Sequence, residues 1–380
     1  MYSHIVILGL SLFLVSCHPW HKTVQDRYAW PSFRGHVSNL GVSPTSLSPP
    51  LILNKIWHFD HRIRATAAAS EGRVFIADWN GVVYALDVMS EAVLWQQHTR
   101  RYITGSPLLY RDQVIIASCD STVYAFSARN GRLRWQFRMQ HLSISSPVGY
   151  RDLVIFGSHD GHVYALNVRN GKRKWAFDTG GLVSSSPAVA DGRVYIGSGK
   201  PGLFCLDAGS GRLIWAFKTE KGVIASPVVA DGLVFFGDYA GWFYAVDLQG
   251  RLVWKTRGLK KIDASAAYLE GIVYWADMAG TVFAARGATG EPVWQFPLQG
   301  PVISSVLLDD RYLYTARYRP ARLFMLDRFT GDLVWSFALE GNTYASPMIY
   351  RNRLFIGTEK GVFYAFRSAE PDTLLTEVHP

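Results

Sequence analysis

Cysteine is scarce, with 3 in 380 residues, and this excludes a small scaffold stapled by disulfides. Charge is scarce too: charged residues make up 18% of the chain against 49% hydrophobic. A chain so composed buries a core rather than staying disordered. Beyond the N-terminus no apolar run is long enough for a membrane-spanning helix. No Gly-x-Ser-x-Gly elbow, P-loop or His-Glu-x-x-His signature occurs, so the common devices of hydrolases and nucleotide binders are missing. Acidic residues are outnumbered 30 to 39, for a formal net charge of +9. That balance favours anionic surroundings such as membrane headgroups. With no basic reading motif, it does not indicate nucleic acid.

What is in excess is tryptophan, 13 residues, and eight of them recur periodically. Trp57, Trp95, Trp135, Trp175, Trp215, Trp254, Trp294 and Trp335 are separated by 38, 40, 40, 40, 39, 40 and 41 residues. Ahead of each but the first stands an aromatic in a short apolar run, at Tyr84, Tyr124, Tyr164, Phe204, Tyr244, Phe283 and Phe324, with an eighth at Tyr364. Each unit also begins on small residues, as in Ser106-Pro107, Ser146-Pro147, Ser186-Pro187 and Ser226-Pro227. Between these landmarks lie tight-turn pairs such as Asp191-Gly192 and Asp231-Gly232, which supply the positive φ of a two-residue hairpin. A glycine stands four residues before most of the tryptophans; the first unit has Glu91 there instead. Each unit therefore reads as four short antiparallel strands, and units of this size and period are propeller blades.

The ends complete the count. The repeats open on a lone tryptophan strand, Ile56-Trp57-His58-Phe59, and close at Tyr364-Ala365-Phe366 without one. The expectation is an all-β, eight-bladed β-propeller closed by the N-terminal strand around Trp57, since closure removes two exposed blade faces. The expected organisation is a leader over 1–16, a tether and lead-in over 17–54, the propeller over 55–368 and a tail over 369–380.

The N-terminus carries an uncharged, largely apolar stretch from Ile5 to Val15, followed by Ser16-Cys17. Leu14-Val15-Ser16-Cys17 resembles the bacterial lipobox, which implies lipidation of Cys17 and a bacterial outer-membrane location facing the periplasm. The leader departs from that pattern in having no Lys or Arg before the apolar stretch. Cys119 and Cys205 lie in apolar runs of non-adjacent units and are expected to be buried and unpaired.

The repeat itself, Ala165-x-Asn167-x-x-x-Gly171-x-x-x-Trp175 and Asp207-x-x-x-Gly211-x-x-x-Trp215, resembles the tryptophan-docking repeat of pyrroloquinoline-quinone-like propellers. The pattern recurs over roughly residues 55–366, and Trp30-Pro31-Ser32-Phe33-Arg34-Gly35 resembles the lead-in of that superfamily. Combined with a lipobox, the layout is similar to lipid-anchored scaffolds of outer-membrane β-barrel assembly. The resemblance implies a non-enzymatic, monomeric platform within a complex, docking an envelope protein such as a β-barrel assembly subunit, with no cofactor. The same family includes quinoprotein dehydrogenases, so the alternative is an enzyme or small-ligand sensor using the central funnel, with pyrroloquinoline quinone and calcium. Against it, the adjacent cysteine pair found in many such enzymes is missing here.

Candidate partner-binding residues lie where repeat packing does not account for them. They are Trp79, Arg100, Arg101, Tyr239, Trp242, Lys260 and Lys261, in the loops between second and third strands and between blades. Exposed aromatics interleaved with basic residues have the composition of interaction hot spots. In the seventh unit Arg317, Arg319 and Arg322 replace the usual turn, and three arginines together suit a carboxylate or phosphate. His159 and His162 lack a third ligand and read as turn residues, not a metal site. Asp78, Asp238 and Asp277 recur at one position and read as caps of local amides. The basic residues of two neighbouring hairpins, Arg129, Arg132, Arg134, Arg169, Lys172, Arg173 and Lys174, read as guards of exposed strand edges. No catalytic or metal-binding set is expected.

Overall fold

A computed structural model describes residue 26 and residues 28–369; Cys17 and Trp20 lie outside the described residues. All regular elements among them are β-strands, arranged in eight antiparallel four-stranded sheets. No helix among them is long and apolar enough to cross a membrane. Blade 1 comprises Ala68–Ser70, Arg73–Ala77, Val82–Asp87 and Val93–His98, and the next six repeat it. Blade 8 takes three strands from Met348–Ser368 and its fourth from Leu51–His58, which pairs antiparallel with Val362–Ser368. The expected closure of the ring is observed.

The core lies between blades. Val148, Ile155, Val163 and Ala165 of blade 3, for example, pack with Val189, Val194, Ile196 and Leu206 of blade 4. In each of blades 1 to 7 the tryptophan of the fourth strand sits opposite a non-aromatic residue of the third, as in Ala85 opposite Trp95 and Ala165 opposite Trp175. Six indoles, from Trp95 to Trp294, donate Nε1–H to a carbonyl of the following blade at 2.7–3.2 Å. The repeat glycine of that blade lies against the indole. A Cβ on Gly131, Gly171 or Gly211 would come within 2.5–3.0 Å of the ring, so glycine is required by close approach as well as by its positive φ.

Trp57 departs from this pattern. It was expected in the common docking position, but Lys55 occupies that register, opposite Ala365, while Trp57 pairs two residues further on with Phe363. The 38-residue spacing to Trp95 records the offset. From there Trp57 Nε1 donates to the Glu91 carbonyl at 3.0 Å, and Lys55 pairs with the Glu91 carboxylate at 2.7 Å. Glu91 therefore stands where the repeat glycine recurs and faces Lys55, not an indole, from the docking register of the preceding blade, while the offset Trp57 reaches its carbonyl. It keeps the positive φ, at 59°.

The described part of the expected tether is packed against the ring. From Trp30 to Ser43 the chain crosses the end bearing the first hairpins, and its carbonyls accept N–H groups from the inner strands. Trp30, Pro31, Val37, Ser38, Leu40 and Gly41 accept from Ala69, Leu109, Val189, Val229, Tyr268 and Leu308 of blades 1, 2, 4, 5, 6 and 7. Inner strands present a free edge at the axis, and a buried N–H needs an acceptor. The lead-in supplies one to six of eight blades. Arg34 is buried at its centre and donates Nη2–H to the Ala266 carbonyl at 2.6 Å, while Asn39 donates to the Pro187 and Pro227 carbonyls.

Candidate functional site

The end of the ring opposite the lead-in is built from inter-blade connections and the loops between second and third strands. These connections carry no repeat turn and so vary from blade to blade. The axial funnel opens here, a cavity of about 150 Å³ lined by two tiers of eight residues, with Phe33 of the lead-in also lining it. The deeper tier is Thr66 and seven serines, from Ser106 to Ser346. Along strand geometry, residues two apart share a face, and the outer tier is the residue two positions earlier in each blade.

Around the mouth, blades 7, 8, 1 and 2 form one continuous stack. Trp79 lies on Tyr102, centroids 4.3 Å apart and planes 14° apart. On the other side the Arg64 guanidinium sits 3.9 Å from the Trp79 ring and 4.3 Å from that of Tyr344. Tyr344 meets Tyr318 at 4.7 Å, and Arg319 lies over Tyr318 at 5.6 Å. Arg64 Nε donates to Glu359 Oε1 at 2.6 Å, which fixes the guanidinium between its two rings. Trp79 also borders a cleft of about 430 Å³ with Asp60, His61, Arg62, Glu359 and Lys360. Planar cations between aromatic faces are favourable and rigid.

The other expected residues do not join this cluster. On blade 5, Trp242 donates Nε1–H to Glu220 at 2.5 Å and is covered by Lys255 at 4.2 Å and Arg257 at 5.3 Å. Tyr239 is exposed beneath Lys261 Nζ, 4.3 Å from its ring, and Lys261 pairs with Asp263 at 3.0 Å. Arg100, Arg101 and Lys260 are exposed on blades 1 and 5. The blade 7 arginines do not converge on a shared anion. Arg317 donates to the carbonyls of Leu298 and Pro320, Arg322 donates to Ser336 Oγ at 2.8 Å, and only Arg319 projects freely. A loop shorn of its glycine turn needs its own arginines to satisfy its carbonyls. Arg64, Tyr344 and Glu359, which help build the stack, were missed because each looks ordinary in its own repeat. Their shared blade-end position was the available signal.

The recurrent aspartates cap their own loops. Asp78 Oδ1 accepts the Asn80 and Val82 amides while Tyr84 donates to Oδ2, and Asp238 repeats this with Ala240, Trp242 and Tyr244. Burial, with the Asp78 and Asp238 charges, pushes both phenols well above their usual range. His159 Nε2 lies 2.9 Å from Ser184 Oγ on the funnel wall, and burial together with His141 holds its pKa down. No carboxylate orients the other ring nitrogen among the described residues, so the pair lacks the third member of a nucleophilic set. Cys119 and Cys205 are buried and free, with thiols pushed up by burial to about 11 and about 12.

The funnel does not suit a quinone–calcium centre. Calcium takes six or more oxygens with several carboxylates among them. Here Asp263 is the single carboxylate in the lining, it is paired with Lys261, and no cluster of three metal-ligating side chains occurs among the described residues.

A family profile described as outer membrane protein assembly factor BamB matches residues 54–181, 175–301, 239–318 and 280–374. No curated protein matches the chain. Among solved structures, BamB from Moraxella catarrhalis is similar at 19% identity and TM-score 0.74, over 84% of this chain and 100% of that one. Quinohemoprotein alcohol dehydrogenase from Comamonas testosteroni is similar at 13% and 0.78, over 93% and 83%. A europium-containing methanol dehydrogenase is similar at 12% and 0.79, over 90% and 98%. At such identities the likeness is one of fold, shared by BamB and by dehydrogenases.

Proposed function

Because the chain belongs to the family described as outer membrane protein assembly factor BamB, with matches spanning residues 54–374, we propose that it is a non-enzymatic docking platform for outer-membrane β-barrel assembly. A lipid on Cys17 would hold it at the periplasmic face of the outer membrane, worth about 0.8 kcal/mol per buried CH₂. The partner is a protein subunit of the assembly apparatus, bound by one monomer of this chain within the complex.

One observation carries the reading: the Tyr102–Trp79–Arg64–Tyr344–Tyr318–Arg319 stack, placed on the variable end of the ring. Its side chains are already ordered against one another, so a partner loses little entropy in binding them. Aromatic and arginine anchors are the residues that dominate interface energetics. Glu359 neutralises Arg64, while Arg319 has no carboxylate partner among the described residues and offers its charge to an acidic partner group. Trp242 and Tyr239 offer a second, smaller aromatic patch on blade 5.

The test is co-purification of tagged full-length chain from envelope extracts, with partners identified by mass spectrometry. A β-barrel assembly subunit is expected with the native chain and depleted with Arg319→Glu, an exposed change that leaves the fold alone. Its absence from the native sample, or equal recovery with the variant, contradicts the proposal.

A further inference from the structure

The deeper tier of the funnel has a hydrogen-bond pattern that ring packing does not complete. Going round the axis, the amides of Ser106, Ser146, Ser186, Ser226, Ser265 and Ser305 each donate to the hydroxyl of the next blade's serine, and that of Ser346 donates to Thr66, all at 2.9–3.1 Å. All eight residues are at most 7% exposed. Seven of the eight hydroxyls thus spend a lone pair on an amide, while none of the eight donates its own O–H to a protein atom among the described residues. Ser106, at the other end of the series, receives no such amide. A hydroxyl can donate as well as accept, so all eight residues leave an O–H donor to whatever fills the cavity they line.

The outer tier breaks the ring's symmetry. From blade 1 to blade 8 it reads Arg64, Thr104, Ile144, Ser184, Ile224, Asp263, Ile303 and Tyr344. Three isoleucines on alternate blades give an apolar wall, and Phe33 adds an aromatic one. Asp263 contributes an acceptor: its Oδ2 holds Lys261, but its Oδ1 is buried without any hydrogen-bond partner. Both local charges are therefore balanced, Arg64 by Glu359 and Asp263 by Lys261.

We propose that the funnel binds a small neutral polyol of monosaccharide size. Such a ligand presents hydroxyl oxygens to the ring of O–H donors and a hydroxyl proton to the Asp263 carboxylate, whose partly exposed side chain lines the outer tier. Its C–H face suits the isoleucines and Phe33. A bare anion meets the Asp263 carboxylate in the lining, and an apolar ligand leaves the donor ring unpaired. The 150 Å³ cavity has space for about five waters at the density of the liquid, which limits a ligand entering from the open mouth to one sugar ring and excludes a longer chain. This site lies inside the mouth of the docking stack and does not depend on the protein partner.

The test uses purified full-length chain in detergent, with glucose, N-acetylglucosamine and inorganic phosphate as probes in saturation-transfer NMR and calorimetry. Saturable one-to-one binding of a sugar is expected, weakened about tenfold by Asp263→Asn, which removes the charged acceptor. Ile224→Phe, which fills the funnel without touching a polar group, should weaken it at least as much, with both variants keeping the native circular dichroism. No saturable sugar binding, equal binding by both variants, or binding of phosphate alone overturns the proposal. Partner affinity measured on the same variants separates its failure from failure of the docking role.

Discussion

Arg34 shows how one residue can hold the end of a ring. Its guanidinium is buried without a carboxylate partner, and desolvation pulls its pKa down to about 9. The Ala266 carbonyl, at the start of the inner strand of blade 6, takes the place of a counter-ion. Gly41 is what makes room: a Cβ there would overlap the guanidinium, and its φ of 67° already disfavours a side chain. Gly41→Ala is expected to destabilise the chain by about 2–3 kcal/mol, read from urea unfolding followed by tryptophan fluorescence. In the Arg34→Ala background the same change should cost distinctly less, because the clash is gone and only the φ penalty remains. Equal costs in both backgrounds would show that the guanidinium is not packed on Gly41.

At the scale of the element, indole and glycine act as one unit across each blade boundary. Gly211→Ala drives a Cβ to 2.6 Å from the Trp175 ring at a φ of 73°, and about 2–3 kcal/mol of lost stability is expected. Glu91→Ala removes only the Lys55 ion pair, half-exposed, and should cost within about 1 kcal/mol. Similar costs at the two sites would contradict the offset of Trp57. The strands were legible because the forty-residue period, the hairpin dipeptides and the tryptophans all mark the same boundaries. The offset was legible too, in the short spacing from Trp57 to Trp95 and in Glu91 where glycine recurs, once the two departures are read as one. The lead-in was not: its bonds to the inner strands run through backbone carbonyls, which leave no side-chain period. The funnel lining was recorded two residues before each Ser-Pro start, but only the ring geometry brings Arg64, Asp263 and Tyr344 to one axis.

At the scale of the whole molecule, stability and function both rest on closure. The strand Leu51–His58 covers Val362–Ser368, and without it blade 8 loses its outer strand and the Trp57–Glu91 bond to blade 1. A chain lacking residues 1–58 also lacks the lead-in that caps six inner strands. It is expected to lose its cooperative thermal transition or to aggregate, observed by calorimetry and size-exclusion chromatography. A soluble monomer melting like the full chain would contradict this. Closure also sets blades 7, 8, 1 and 2 side by side, although their residues lie at opposite ends of the chain, and so assembles the docking stack from Tyr318 to Tyr102. The measurement that bears most directly on the account is the affinity of purified full-length chain for a purified β-barrel assembly subunit. The native chain should bind saturably, Trp79→Ala should weaken binding by about 2 kcal/mol, some thirtyfold, and Arg132→Ala on the opposite end should leave it unchanged. No binding by the native chain, or equal binding by Trp79→Ala, would contradict the account.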